Sequence, residues 1–312
     1  MSLVLIAGTS NPLLAEAVAA RLEVRLAERE ASRFPDGEMH VQVQASVRGC
    51  DVYLLQSAGP PAEEHLFQLL LLADACRRAG AARLTAVVPY LGYARQDRRA
   101  TGREPVGARL VADLLAAGGL QRTVAVDLHS TALEGVFGMP LEHLTAVPLL
   151  SEALRPGLPD HGVIVAPDLG ATKLAERYAR LLRLPVALVH KRRLSGERVT
   201  VRDVTGEVRD RAPLVVDDMI TTGGTVEAAI KAVLEAGCRP DVTVAATHGL
   251  FVGPAAERLR ALPVKRLVTT DSVAPPDTGG LLLERVSLAP LLAEAISRLH
   301  GDRSLGELIV HA

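Results

Sequence analysis

Tryptophan is absent from this chain of 312 residues, and four phenylalanines and four tyrosines are its only other large aromatic side chains. So little aromatic surface excludes a stacking platform for single-stranded nucleic acid. Cysteine is nearly as scarce. Cys50, Cys76 and Cys238 are odd in number and share no metal-ligand spacing, which argues against a disulfide framework and for buried or incidental thiols in a reducing compartment. Charge of either sign is not in excess: the formal net charge is -1, too small to attract nucleic acid or an anionic membrane in bulk, so any anion binding must be local. No window is apolar enough to span a bilayer, and Met1 to Gly8 is too short and lacks the basic start of a signal peptide. What remains is 48% hydrophobic residues, enough for the cores of two α/β domains of ordinary size. The expectation is a soluble cytoplasmic enzyme with no nucleic-acid or membrane partner.

One stretch organises the rest: Leu214-Val215-Val216-Asp217-Asp218-Met219-Ile220-Thr221-Thr222-Gly223-Gly224-Thr225. Its apolar start reads as a buried parallel strand with two carboxylates at its carboxyl end. From Val226 an amphipathic helix follows, with Val226, Ala229, Ile230, Val233 and Leu234 on one face. A strand, a Thr/Gly turn and a helix form an anion cradle, because the first backbone N–H groups of a helix lack intrahelical acceptors. Gly223 and Gly224 permit close backbone approach. Two acids beside such a cradle suit a sugar phosphate. A turn that only ends a strand and caps a helix explains one Asp and not the whole run.

Earlier in the chain, Leu3 to Ala7 reads as a strand, with Asn11 as N-cap and Pro12 at the first position of a helix. This second strand–turn–helix is most simply an ordinary α/β connection. Phe34-Pro35-Asp36-Gly37-Glu38 precedes the alternating strand Met39 to Val43; Phe34 can stack on a flat ring and the acids can accept from an amine or hydroxyls. A Pro/Gly turn explains the same residues without a ligand. Strand Ala86 to Val88 leads into a segment carrying Arg95, Arg98, Arg99 and Arg103. Arginine forks match phosphate oxygens two at a time, so a polyphosphate clamp and a solvated charged loop both fit. Asp127-Leu128-His129 and Pro167-Asp168 also stand at strand ends, where ligands bind in open α/β sheets. Val-Ala-Val-Asp127 weakly echoes Val-Val-Asp217, a hint of two related halves.

Taken together these segments resemble ribose-phosphate pyrophosphokinases, the PRPP (phosphoribosyl diphosphate) synthetases, over nearly the whole chain. The resemblance rests on Phe34 to Glu38, Pro89 to Arg98, Arg103 to Pro105, Asp127 to His129, Pro167-Asp168, Lys191 to Arg193, Asp217 to Thr225 and Ala246 to Gly249, in the family's order. It implies transfer of the β,γ-diphosphoryl group of Mg-ATP to the 1-hydroxyl of ribose 5-phosphate, giving PRPP and AMP. By similarity Phe34, Asp36, Gly37, Glu38, Arg95 and Gln96 would bind ATP, and His129 and Asp168 would ligate Mg²⁺. Asp217, Asp218, Thr221, Thr222, Gly223, Gly224, Thr225 and Arg193 would hold ribose 5-phosphate, while Lys191 and Arg193 would be catalytic residues of a flexible loop. The implied fold is two tandem doubly wound phosphoribosyltransferase-like α/β domains, each with a mostly parallel central sheet, residues 1–146 and 147–312. The last helix is a candidate to fold back on the first. A homo-oligomer, hexamer or dimer, is implied as well. The rival readings are a PRPP-consuming phosphoribosyltransferase, which has no need of the Phe34 and Arg95 segments, and a silent regulatory subunit, which should be damaged at Lys191, Arg193, His129 or Asp168. Many members carry an acid where this chain has Thr221, so one carboxylate near the sugar is missing.

Overall fold

Most residues of the central strands are buried, the pattern of parallel sheets covered on both faces. The computed structural model describes residues 1–193, 200–276 and 278–310, with the backbone alone for 191–193 and 200–202. The chain divides into two compact units.

The first comprises Met1–Thr145, Ser272–Ala274 and Ser287–Ala312. Its elements are β1 (Leu3–Ala7), α1 (Pro12–Arg21), β2 (Arg29–Arg33), β3 (Met39–Val43), β4 (Asp51–Leu55), α2 (Ala62–Arg78), β5 (Arg83–Val88), α3 (Gly107–Ala117), β6 (Arg122–Val126) and β7 (Leu141–Leu144). The sheet runs β1-β4-β5-β6-β7, parallel throughout, and β2 and β3 form a separate antiparallel pair. Asn11 starts α1, its side chain accepting from Leu14 N at 3.4 Å, with Pro12 next. The core is built from Ile6, Leu54, Leu69, Leu72, Val88 and Leu115.

The second unit, Ala146–Asp271 with Pro275–Val286, contains α4 (Val147–Leu154), β8 (Gly162–Ala166), α5 (Thr172–Leu182), β9 (Val186–Arg193), β10 (Thr200–Thr205), β11 (Ala212–Ile220), α6 (Gly224–Glu235), β12 (Val242–Gly249), α7 (Ala255–Arg260), β13 (Val264–Thr270) and β14 (Glu284–Val286). Sheet order is β10-β9-β8-β11-β12-β13-β14, and only the β9–β10 pair is antiparallel. From β8 the chain winds outward one way through β9 and β10, then returns to the other side of β8 as β11. The switch point of the sheet therefore lies between β8 and β11, which is where open α/β sheets bind ligands. Arg266 of β13 closes α4, donating to the carbonyls of Ala153 and Leu154 and pairing with Glu284 of β14.

The final helix, α8 (Ala289–His300), packs on α1 in the first unit. Its terminal His300 Nδ1 lies 2.8 Å from Asp51 at the start of β4. Asp51 is buried and also takes Arg83 at 2.6 Å and the Tyr53 hydroxyl at 3.2 Å. Burial beside Asp51 holds the Tyr53 phenol well above its usual pKa.

Two expectations shift by a few residues. Asp217 and Asp218 lie within β11, not past its end, and Lys191 to Arg193 continue β9 rather than beginning a loop. Backbone pairing explains both: β12 keeps β11 extended to Ile220, and β10 pairs with β9 through Arg193.

Candidate active site

In the second unit the site grows out of unequal strand lengths. Pairing between β11 and β8 stops at Val215 opposite Val165, whereas pairing between β11 and β12 continues to Ile220 opposite Gly249. The last five residues of β11 thus have one free flank, and Asp217 and Asp218 stand on that stretch. Asp168 follows β8 on the same side of the switch point. It is exposed, and its Oδ1 accepts from Gly170 N at 2.8 Å and Ala171 N at 3.2 Å, which folds the turn into α5.

Asp217 keeps some surface exposure, yet protein surrounds its carboxyl closely enough that desolvation is the main cause of a pKa raised well above the carboxylate range. Asp218 adds repulsion, and Asp168 adds less. The one opposing contribution is the Asp218 N–H, which donates to Asp217 Oδ1 at 2.9 Å. A carboxyl whose proton affinity is raised by burial and by two neighbouring carboxyls suits hydrogen bonding to sugar hydroxyls.

Beyond them comes the turn from Thr221 to Thr225. Gly223 is the N-cap of α6 in the left-handed region, φ 75°, and no side chain caps this helix. Its first N–H groups are therefore left for a ligand. The turn is held from outside: Leu250 N donates to Ile220 O at 2.9 Å, Val252 N to Thr221 O at 3.0 Å, and Arg258 of α7 to Thr222 O at 3.0 Å. The Ala246 to Gly249 motif thereby acquires a physical role. A Cβ at Gly249 would come within 2.6 Å of the Phe251 ring, so glycine lets the supporting segment fold under the cradle.

The corresponding turn of the first unit is filled by the protein itself. Gln68 Oε1 accepts from Thr9 N at 2.8 Å and Thr9 Oγ1 at 2.9 Å, and Gln56 Oε1 accepts from Ser10 N at 3.0 Å. The ordinary-connection reading of this segment holds because two glutamines occupy the place an anion would take.

Elsewhere in the first unit, Phe34 to Glu38 form the exposed tip between β2 and β3. Phe34 N donates to Glu38 O at 2.8 Å, Gly37 adopts φ 94°, and Asp36 Oδ1 accepts from Glu38 N at 3.1 Å. Phe34 is 49% exposed and meets His40 edge-on with centroids 5.3 Å apart. Arg33 fastens the tip, donating to Gly37 O at 2.7 Å and pairing with Glu64 of α2. Arg95 and Gln96 follow β5 and are exposed. Among the described residues, Arg95, Arg98, Arg99 and Arg103 pair with no carboxylate, so their charge is available to anions. His129 follows β6, beside β5, and is also exposed.

Lys191 and Arg193 are backbone positions of β9, and their side chains lie outside the described residues. Among the described residues no three His, Cys, Asp or Glu side chains gather into a metal-binding cluster. One or two carboxylates completed by phosphates and water are what Mg²⁺ ordinarily takes, and the exposed Asp168 fits that pattern as a single carboxylate. Arg258 is the residue here that the sequence did not announce. Nothing in its surroundings in the chain marks it, since its contact depends on α7 returning to the turn.

Comparison with known proteins meets this geometry from outside. Residues 3–119 match the model of the N-terminal domain of ribose phosphate pyrophosphokinase, and residues 154–282 match the phosphoribosyl transferase domain. The ribose-phosphate pyrophosphokinase of Caldanaerobacter subterraneus subsp. tengcongensis is 41% identical over 98% of this chain and 98% of its own. That of Clostridium perfringens is 40% identical over 96% of this chain and 95% of its own. The crystal structure of phosphoribosylpyrophosphate synthetase from Mycobacterium smegmatis is 38% identical and superposes with a TM-score of 0.91, covering 97% of this chain and 100% of that one. With both halves matched in order and the likeness running nearly end to end, the chain belongs to the ribose-phosphate pyrophosphokinase family.

Proposed function

We infer that the chain transfers the β,γ-diphosphoryl group of ATP to the 1-hydroxyl of ribose 5-phosphate, releasing AMP and PRPP. The observation that carries this reading is the switch-point crevice of the second unit. There Asp217, made costly to ionise by burial and by the adjoining Asp218, stands on the strand that leads into an uncapped Thr/Gly helix start. The acids suit the ring hydroxyls, and the open N–H groups of Thr221 to Thr225 suit the 5-phosphate.

In this reading residues 147–312 bind the acceptor, and residues 1–146 supply the ATP side through Phe34, Asp36, Gly37, Glu38, Arg95 and Gln96. The sugar 1-oxygen attacks the β-phosphorus, the bond from that phosphorus to the α,β-bridging oxygen breaks with AMP as the leaving group, and the hydroxyl proton passes to solvent. Asp217 and Asp218 orient the sugar by accepting from its hydroxyls. Lys191 and Arg193 stabilise negative charge as it builds on the phosphoryl oxygens, the largest contribution a protein makes to this reaction class. His129 and Asp168 would hold Mg²⁺ together with the ATP phosphates. When bound, the ion neutralises charge on the phosphate oxygens and helps to fix their geometry.

We place the enzyme in the cytoplasm as a homo-oligomer, hexamer or dimer. Support comes from the three free thiols and from apolar side chains exposed on helices of the first unit. No described helix is long and apolar enough to cross a membrane.

The test is purified protein with Mg-ATP and ribose 5-phosphate, resolved by ion-exchange chromatography. AMP and PRPP should appear in equal amounts. ADP as the nucleotide product, or consumption of added PRPP with a free base to give a nucleotide, would replace this reading with a simple kinase or a phosphoribosyltransferase. No turnover from folded protein would leave the regulatory subunit.

A further inference from the structure

His129 sits in a turn whose geometry is set by a side chain that the reaction scheme does not use. Asp127, two residues before it, is buried with φ 36°, a left-handed conformation uncommon outside glycine. Asp127 N donates to Leu144 O of β7 at 2.9 Å. Leu128 N then donates to Nε2 of His143, also on β7, at 2.8 Å. A nitrogen that accepts from a backbone N–H carries no proton, so the His143 proton resides on Nδ1. That nitrogen lies 3.1 Å from Glu134 Oε1, on the 3-10 turn Thr131–Gly135 that follows His129. Within that turn Ser130 Oγ accepts from Ala132 N at 3.2 Å. His143 is 4% exposed. One buried imidazole thus links the residue before His129 to the turn after it, with a single tautomer serving both bonds.

We propose that His143, its tautomer held by Glu134, is a positioning residue that fixes the turn carrying His129 for Mg-ATP through its bond to Leu128 N. The inference rests on the assignment of His129 to the ATP side. Partners that orient a ligating group commonly matter ten- to a hundredfold in metal affinity or activity. The amide of Gln reaches about as far as Nε2 and that of Asn about as far as Nδ1. His143→Gln therefore keeps an acceptor for Leu128, while His143→Asn keeps only the link to Glu134.

Steady-state kinetics of the full-length enzyme should show His143→Gln within about threefold of the parent. His143→Asn should raise the KM for Mg-ATP or lower kcat by roughly ten- to a hundredfold, leaving the KM for ribose 5-phosphate unchanged. Adding His143→Asn to His129→Ala should bring no further loss. Without substrates, imidazole ¹⁵N spectra should show His143 Nε2 unprotonated. Exchange of the Leu128 amide should be slow in the parent and in His143→Gln, and fast in His143→Asn. Parental kinetics in His143→Asn, a protonated Nε2, or losses that multiply in the double variant would each overturn the proposal. An impaired His129→Ala beside an unimpaired His143→Asn sinks the positioning role alone. Parental Mg-ATP kinetics in His129→Ala removes His129 from the ATP side and the proposal with it.

Discussion

Asp217 is in electrostatic conflict in the unliganded protein: surroundings of low polarity raise its proton affinity, and Asp218 and Asp168 raise it further. The folded pKa therefore lies above the unfolded one, whose ordinary value is 3.8. The stabilisation from holding this proton is fully present below that unfolded value and is lost as pH rises through the raised folded value. Asp217→Asn removes the titration, so its melting temperature should exceed the parent's at pH 8 and the difference should shrink towards pH 4. The sign of this gain follows from the direction of the shift alone: positive at pH 8 and vanishing towards pH 4. Calorimetry on ligand-free protein measures it, and a variant no more stable at pH 8 would show that Asp217 is not strained. The same change should lower kcat/KM for ribose 5-phosphate about ten- to a hundredfold, the worth of a hydrogen bond to a charged group. This acid pair was readable in the sequence because a doubled Asp between an apolar run and a Thr/Gly run has few structural uses. His143 and Arg258 were not readable. Each acts across the fold on residues 15 and 36 positions away, and neither type at that distance signals anything in advance.

Elements with apolar periodicity were legible, and those without it were not. The central strands and the long helices fall within a few residues of where their hydrophobic pattern puts them. β2, whose sequence is Arg-Glu-Ala-Ser-Arg and which is nowhere buried, carries no such pattern. It exists because β3 pairs with it in register from Arg29–Val43 to Arg33–Met39, and because β3 leans on α2. Pro148 does not break α4, because it occupies the first turn, where proline is tolerated. At the start of α6 the decisive quantity is a backbone angle. Gly223 has φ 75°, and a Cβ there would meet Ala255 at 3.5 Å, ordinary contact distance. Gly223→Ala is therefore penalised by conformation and not by collision, at roughly 1–2 kcal/mol. The expected outcome is a several-fold rise in the KM for ribose 5-phosphate with the KM for Mg-ATP unchanged, followed by steady-state kinetics. Equal rises for both substrates would mean that the turn does not serve the acceptor alone.

At the scale of the molecule, both halves are α/β units with mostly parallel sheets, but the two strand–turn–helix corners differ. The family motifs exposed the overall organisation, because eight of them lie in order along the chain. They could not reveal that Gln56 and Gln68 fill the first corner, since that depends on two side chains meeting from β4's end and α2. The same limit applies to surfaces. Leu110 is 58% and Leu114 45% exposed, one helical turn apart on α3, and i, i+4 spacing sets them side by side. In the proposed homo-oligomer a contact between copies would cover them, which makes α3 the first surface to test. Replacing both with Glu should leave the fold intact, because neither belongs to the first unit's core. Light scattering coupled to gel filtration should then report a smaller assembly than the parent forms, with the circular dichroism spectrum unchanged. If the variant keeps the parent's mass, α3 lies outside the interface and the apolar side chains of other helices, such as Leu13 and Phe67, become the surfaces to change next.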